Sequence, residues 1–186
     1  MRWSRLIGFA ACIYVKVVWP GVDNSTAAPT VIWVHGGAGV AGDAQFTFNF
    51  LEDVSRAMHM RILTVQYRLA PETPLYGGVQ DVVSTARWVH NTLGVETVIV
   101  AGESGGGLVA LLALQSIGNS LPITAGLIIS PMVDGRGDPE MYPSITTTYD
   151  RIVSCTLGEA MVRANSPLHS FFLISLFRLS FSTQLI

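Results

Sequence analysis

The sequence predicts an α/β fold: an open, mostly parallel β-sheet with helices on both faces. Two observations carry that expectation. Short apolar runs of strand length alternate with longer stretches of helical pattern, β then α, through the middle of the chain. The glycines, 18 in all, gather at two places, His35-Gly36-Gly37-Ala38-Gly39 and Gly102-Glu103-Ser104-Gly105-Gly106, each directly after a predicted strand.

The 186 residues (20.0 kDa) suffice for one ordinary domain. A net charge of −2 and an isoelectric point near 6.0 exclude a nucleic-acid binder, which needs a basic face against phosphates. Charged residues make up 13% and apolar residues 49%, with a mean hydropathy of +0.45. So much apolar side chain offsets the entropy of ordering a core, which excludes intrinsic disorder. Two cysteines, Cys12 and Cys155, are too few for a disulfide framework or a cysteine metal site, and both read as buried thiols.

The elements follow in order. Arg2 and Arg5 ahead of an uncharged apolar run, residues 6–15, resemble a secretory signal, which would send the chain out of the cell. No small-x-small cleavage site follows; Lys16-Val17-Val18-Trp19-Pro20 stands there instead. The other reading, consistent with a cytoplasmic protein, is a strand over residues 13–19 ended by Pro20-Gly21. Thr30-Val31-Ile32-Trp33-Val34 has the pattern of a strand buried on both faces. Asp43 is placed to cap a helix over 44–58, in which Phe46, Phe50, Leu51 and Val54 share a stripe. RILTVQ, residues 61–66, is the next strand, and Pro71 and Pro74 make 67–74 a loop. A helix over 79–91 ends at Leu93-Gly94. TVIVA, 97–101, is a core strand, 108–117 a buried helix, and AGLIIS, 125–130, a last strand.

The chemistry lies in the two glycine clusters. Gly102-Glu103-Ser104-Gly105-Gly106 is G-x-S-x-G between a predicted strand and a predicted helix. So tight a turn needs small residues beside the serine and thrusts its hydroxyl out above the carboxyl edge of the sheet. The helix that follows aims its free N–H groups and positive end at the same spot. A phosphate-binding P-loop is excluded because no lysine follows the glycines. Ser104 is therefore the candidate nucleophile. The loop His35–Gly39 offers backbone N–H groups for the negative charge that develops on a carbonyl oxygen during acyl transfer. The loop resembles the HGGG-like loop of α/β-hydrolase-type esterases and lipases, which implies Gly36, Gly37 or Ala38, together with Gly105, as the donors, and His35 is expected to hold the loop by hydrogen bonding.

With these motifs the sequence resembles the hormone-sensitive-lipase-like branch of the α/β-hydrolases. Tyr67-Arg68-Leu69-Ala70-Pro71-Glu72 is similar to that branch's YRLAPE segment, and Asp81 with Trp88 to its D-x6-W helix. Residues 127–134 (LIISPMVD) and Asn165-Ser166-Pro167-Leu168 are similar to its later segments. The likeness covers roughly residues 13–168, with Ala38 where the family usually has glycine and Gly39 where it usually has an aromatic. The resemblance implies hydrolysis of a small carboxylic ester through Ser104, with no metal and no organic cofactor. Arg68 and Asp81, opposite charges in a charge-poor chain, are expected to pair and tie the YRLAPE loop to its helix.

The family's triad continues with an acid and then a histidine. After Ser104 the carboxylates are Asp134, Asp138, Glu140, Asp150 and Glu159, and the only histidine is His169. Residues 169–186 hold one arginine and no carboxylate, too short and interrupted for a membrane anchor. The expectation is a partial hydrolase domain over 1–168, lacking its last strands, followed by an aberrant apolar tail over 169–186 and carrying little activity. A triad of Ser104, Asp150 and His169 would need a different ending to the fold. The competing readings are a ligand-binding relative without turnover, as in the family's gibberellin receptors, and the product of an erroneous gene model. The strand at 125–130, left at the sheet's edge, is expected to favour self-association.

Overall fold

The computed structural model describes residues 2–7, 12–18 and 28–132. The segment around Asn165, the carboxylates from Asp134 onward, Cys155, His169, the tail and the expected boundary at 168 lie outside the described residues.

Among the described residues six strands form one sheet in the order β1-β2-β4-β3-β5-β6. These are β1 (Arg2–Ile7), β2 (Cys12–Val18), β3 (Thr30–Val34), β4 (Arg61–Gln66), β5 (Val98–Glu103) and β6 (Ile123–Ile129). Three helices join the later strands: α1 (Phe48–Met58), α2 (Leu75–Asn91) and α3 (Ser104–Ile117). β4, β3, β5 and β6 are mutually parallel, while β2 pairs antiparallel with β4 and β1 antiparallel with β2. The stretch weighed as a signal thus carries two strands, of which only the second was foreseen, one residue out of place.

Crossover handedness places the helices. Parallel strands are joined by right-handed connections, so a step one way along the sheet puts its helix on one face and a step back puts it on the other. β3 to β4 runs one way; β4 to β5 and β5 to β6 run the other. Accordingly Val31, Trp33, Ile62 and Ala101 pack with Phe48 and Leu51 of α1. On the opposite face Ile32, Val34, Leu63, Val65, Val98 and Val100 pack with Val79, Val82, Ala86 and Val89 of α2 and Val109, Ala110 and Ala113 of α3. β3 is buried along its whole length, as its unbroken apolar run predicts.

Element bounds differ from expectation at helix starts. Residues 44–47 form a turn in which Asp43 Oδ1 accepts from the Gln45 amide at 2.7 Å, and α1 begins only at Phe48. Its buried face is Phe48, Leu51 and Ser55, so Phe46 (82% exposed) and Phe50 (58%) are corrected to solvent-facing positions. Phe50 still meets Trp33 edge-on, ring centroids 6.3 Å apart. α2 and α3 both start four residues earlier than expected, because packed glycines occupy their first turns.

Candidate functional site

Ser104 stands where β5 turns into α3, at a backbone φ of +51°. A non-glycine residue in the left-handed region costs on the order of 1–3 kcal/mol, and such strain persists only where the surroundings fix it. Here close packing fixes it. A Cβ on Gly105 would strike the Ala38 backbone, and one on Gly106 would strike the carbonyls of Val34 and His35. Gly102, at the end of β5, lies directly under the Gly106 carbonyl. The first turn of α3 is therefore pressed onto the end of β3 and the loop after it. Glu103 keeps an extended backbone, with its side chain half-buried over Gly36. The Ser104 side chain is exposed and makes no hydrogen bond among the described residues.

The loop after β3 runs beside it. A Cβ on Gly36 would sit 3.4 Å from the Ser104 Cβ, so the two main chains are close neighbours. Gly37, Ala38 and Gly39 all have positive φ, +118°, +59° and +74°. Ala38 is the strained member, which explains why a glycine suits that position better. Val40 and Ala41 both donate to the Gly37 carbonyl at 3.1 and 2.9 Å, closing the turn. No hydrogen bond from the Gly37 or Ala38 amide is made among the described residues. The Gly105 amide belongs to a helix's first turn, whose N–H groups have no partner inside the helix.

Three contacts hold this loop. The Ala70 amide donates to the Gly39 carbonyl at 2.8 Å. The Tyr67 hydroxyl donates to the His35 carbonyl at 2.9 Å, and the two rings stack at 4.5 Å. His35 Nδ1 lies 2.7 Å from the Gly36 carbonyl, and since a carbonyl only accepts, Nδ1 carries the proton. Burial lowers the His35 pKa below its ordinary 6.5, outweighing the Gly36 hydrogen bond and the carboxylates of Asp43 and Glu103, so the ring is neutral. Burial also raises the Tyr67 pKa, keeping its hydroxyl protonated as a donor. Tyr67 was known from sequence only as a motif letter; its role as the pin under His35 carries no local signal.

The segment holding Tyr67 and Ala70 is itself anchored. Arg68 Nη2 meets Asp81 Oδ1 at 2.8 Å, Nε reaches both carboxylate oxygens at 3.0 and 3.1 Å, and the Arg68 amide donates to Oδ2 at 2.9 Å. The guanidinium also donates to the Gly77 carbonyl at 3.1 Å. Asp81 is buried and Arg68 one-third exposed. The Asp81 hydrogen bonds raise the Arg68 pKa further. The expected tie between this loop and α2 is thus present.

The arrangement brings an exposed serine hydroxyl, a loop of uncommitted amides and a helix N-terminus to one place. Among the described residues no histidine ring is placed to serve Ser104: His35 lies in the adjoining loop with its ring on Gly36 and Tyr67. His90 Nδ1 lies 3.0 Å from the Val95 carbonyl at the far end of α2, and His59 is exposed at the end of α1. Among the described residues no group of side chains could hold a metal, and no helix is long and apolar enough to cross a membrane.

Comparison with known proteins bears on the family and the fold. A family model described as the alpha/beta hydrolase fold matches residues 31–171. Versiconal hemiacetal acetate esterase of Aspergillus parasiticus is 35% identical over 134 residues, 70% of this chain and 43% of that protein. Carboxylesterase NlhH of Mycobacterium tuberculosis is 33% identical over 123 residues, 60% of this chain and 37% of that protein. An esterase structure from Pyrobaculum calidifontis superposes with a TM-score of 0.75 at 24% identity, over 88% of this chain and 55% of that one. The chain spans about half the length, or less, of these relatives.

Proposed function

The chain belongs to the α/β-hydrolase fold family, and from that premise we propose that it serves, by itself or as part of a longer protein, in carboxylic ester hydrolysis with Ser104 as nucleophile. The observation that carries this reading is the left-handed backbone of Ser104 at the junction of β5 and α3, pressed against the loop after β3. On this reading Ser104 Oγ attacks the ester carbonyl carbon. The electron pair of the C=O bond moves to oxygen, where the amides of Gly37 or Ala38 and of Gly105 receive the charge. Gly36 adjoins the serine closely enough to leave no side chain in the way. Collapse of this intermediate expels the alcohol, and water releases the acid from the acylated serine. The substrate class is a small carboxylic ester, in keeping with the esterases among the relatives.

Deprotonating Oγ needs a base, and none of the described histidines is placed for it. His35 commits Nδ1 to Gly36 and lies stacked in the core, a structural role. An oxyanion site and binding alone still give a roughly 10³–10⁴-fold acceleration over water. Trace turnover of p-nitrophenyl butyrate by the full chain is therefore expected, with slow acylation of Ser104 that intact mass detects in the parent and not in Ser104→Ala. No acylation of the parent, or acylation that persists in Ser104→Ala, would overturn the assignment of the nucleophile. Rapid turnover lost in Ser104→Ala would show that a base from outside residues 28–132 completes the site. The absence of a base among the described residues also favours a second reading, a site that holds an ester-like ligand without turning it over. Saturable binding of a non-hydrolysable ester analogue with no acylation of Ser104 would select it.

A further inference from the structure

G-x-S-x-G accounts for the glycines on either side of Ser104 but not for Gly107, one helical position further on. Its reason lies after β6. A Cβ on Gly107 would sit 3.1 Å from the Pro131 Cβ and 3.2 Å from its Cα, so the turn leaving β6 rests on the first turn of α3. The chain reaches that position by an abrupt change of direction: Ser130 has a φ of +43°, another non-glycine residue in the left-handed region. Pro131 follows and has no N–H to donate. The next amide, that of Met132, donates to the carbonyl oxygen of Ser104 at 3.1 Å.

Ser104 is thus held from two sides. On one, Gly105 and Gly106 are pressed onto the loop after β3. On the other, its own carbonyl is fixed by a main-chain hydrogen bond from a residue 28 positions later in the chain. Its left-handed backbone sets the direction of the side chain, and anything that lets the peptide plane after it rotate releases that direction. We propose that Met132, through its amide, is a positioning residue for Ser104, and that the Ser130-Pro131-Met132 turn and Gly107 form a brace that fixes where the hydroxyl points. The inference rests on the assignment of Ser104 as nucleophile. It makes reactivity depend on the path of the chain after β6, with no contribution from the Met132 side chain.

The test is the covalent labelling of Ser104 in the full chain by an alkyl fluorophosphonate. The serine oxygen bonds to phosphorus, fluoride leaves, and the hydroxyl proton goes to solvent. Intact mass gives the maximal labelling rate and the half-saturating probe concentration. Replacing the residue-132 amide by an ester through semisynthesis puts an oxygen in place of the N–H and leaves every side chain unchanged. The expected result is a roughly tenfold fall in maximal rate, with half-saturation and melting temperature little changed. Gly107→Ala, which pushes Pro131 away, should act in the same direction, and Met132→Leu, which keeps the amide, should label like the parent. An ester variant that labels at the parent rate overturns the proposal, as does a Met132→Leu rate as low as the ester's. Should Gly107→Ala fail to fold, the ester variant decides alone. Labelling of the parent that persists in Ser104→Ala, or no labelling of the parent at all, defeats the nucleophile assignment and this inference with it. Loss in Ser104→Ala with an unaffected ester variant defeats this inference only.

Discussion

β3 and β6 are both short, apolar and parallel, yet they end up in opposite environments. Every residue of β3 is buried, because α1 covers one face and α2 and α3 the other. In β6 only Ile128 is buried, while Leu127 and Ile129, alternating with it, are 38% and 40% exposed. Leu127 pairs with Ala101 and Ile129 with Glu103, so they project on the α1 side of the sheet. α1 lies over β3 and β4, and among the described residues no helix covers that face of β6. Apolar composition makes a strand; neighbouring elements decide whether it is a core strand. The candidate site is built on the covered half, at the ends of β3 and β5.

The largest expected difference between the two regions is in side-chain truncation. Ile32, fully buried at the centre of β3, should lose about 4 kcal/mol as Ile32→Ala, from lost transfer free energy plus a cavity that cannot collapse between packed layers. Ile129→Ala on the open face of β6 should lose less than about 1 kcal/mol. Urea unfolding of the two variants measures the contrast. Equal losses would show that the β6 face is covered by residues outside the described part.

A smaller effect is expected where the covered half reaches out to hold the site. Asp81 is buried, and its carboxylate accepts four hydrogen bonds, all from Arg68. Asp81→Ala leaves a cation beside an apolar surface and should cost about 3 kcal/mol. This is the low end of the range for broken buried pairs, because Arg68 is one-third exposed and water can partly replace its partner. The same change should loosen the 67–74 segment, and with it the Ala70–Gly39 hydrogen bond at the loop beside Ser104. Thermal melting and proteolysis between residues 67 and 74 would report the two consequences separately. A loss in the melt without new cleavage would mean that Tyr67 alone keeps the segment in place.

The same contrast explains how much could be read from sequence. β3 and β4 were legible to the residue, because an unbroken apolar run between breakers admits few alternatives. The bend at Ser104 was legible because its strand, glycines and helix are contiguous. The starts of α1, α2 and α3 were not. Asp43 caps a turn that looks like the beginning of a helix. Gly77 and Gly78, poor helix formers in isolation, are kept in α2 by close packing on Thr73, Arg68 and Tyr67. The Tyr67–His35 and Met132–Ser104 hydrogen bonds join residues 32 and 28 positions apart. No local pattern encodes a contact of that kind, so the supports of the site stayed invisible while its centre did not.

The smallest effect on stability, and the one that bears most directly on the open half, concerns charge on β6. The strand ITAGLII carries no charged residue and no proline, the usual devices that keep an edge strand from pairing with another chain. Among the described residues β6 has no strand on its outer side, and Leu127 and Ile129 add apolar side chains there. Ile129→Lys replaces a partly exposed side chain by one whose stem can lie on the sheet while its ammonium stays in water, so stability should change by no more than about 0.5 kcal/mol. Solubility should respond more strongly, because a lysine facing the approaching strand opposes both pairing and apolar contact. Size-exclusion chromatography with light scattering should show the parent chain as oligomers and the Ile129→Lys variant shifted toward monomer. A parent chain that is monomeric at the same concentration would overturn the expectation that β6 pairs with a second chain.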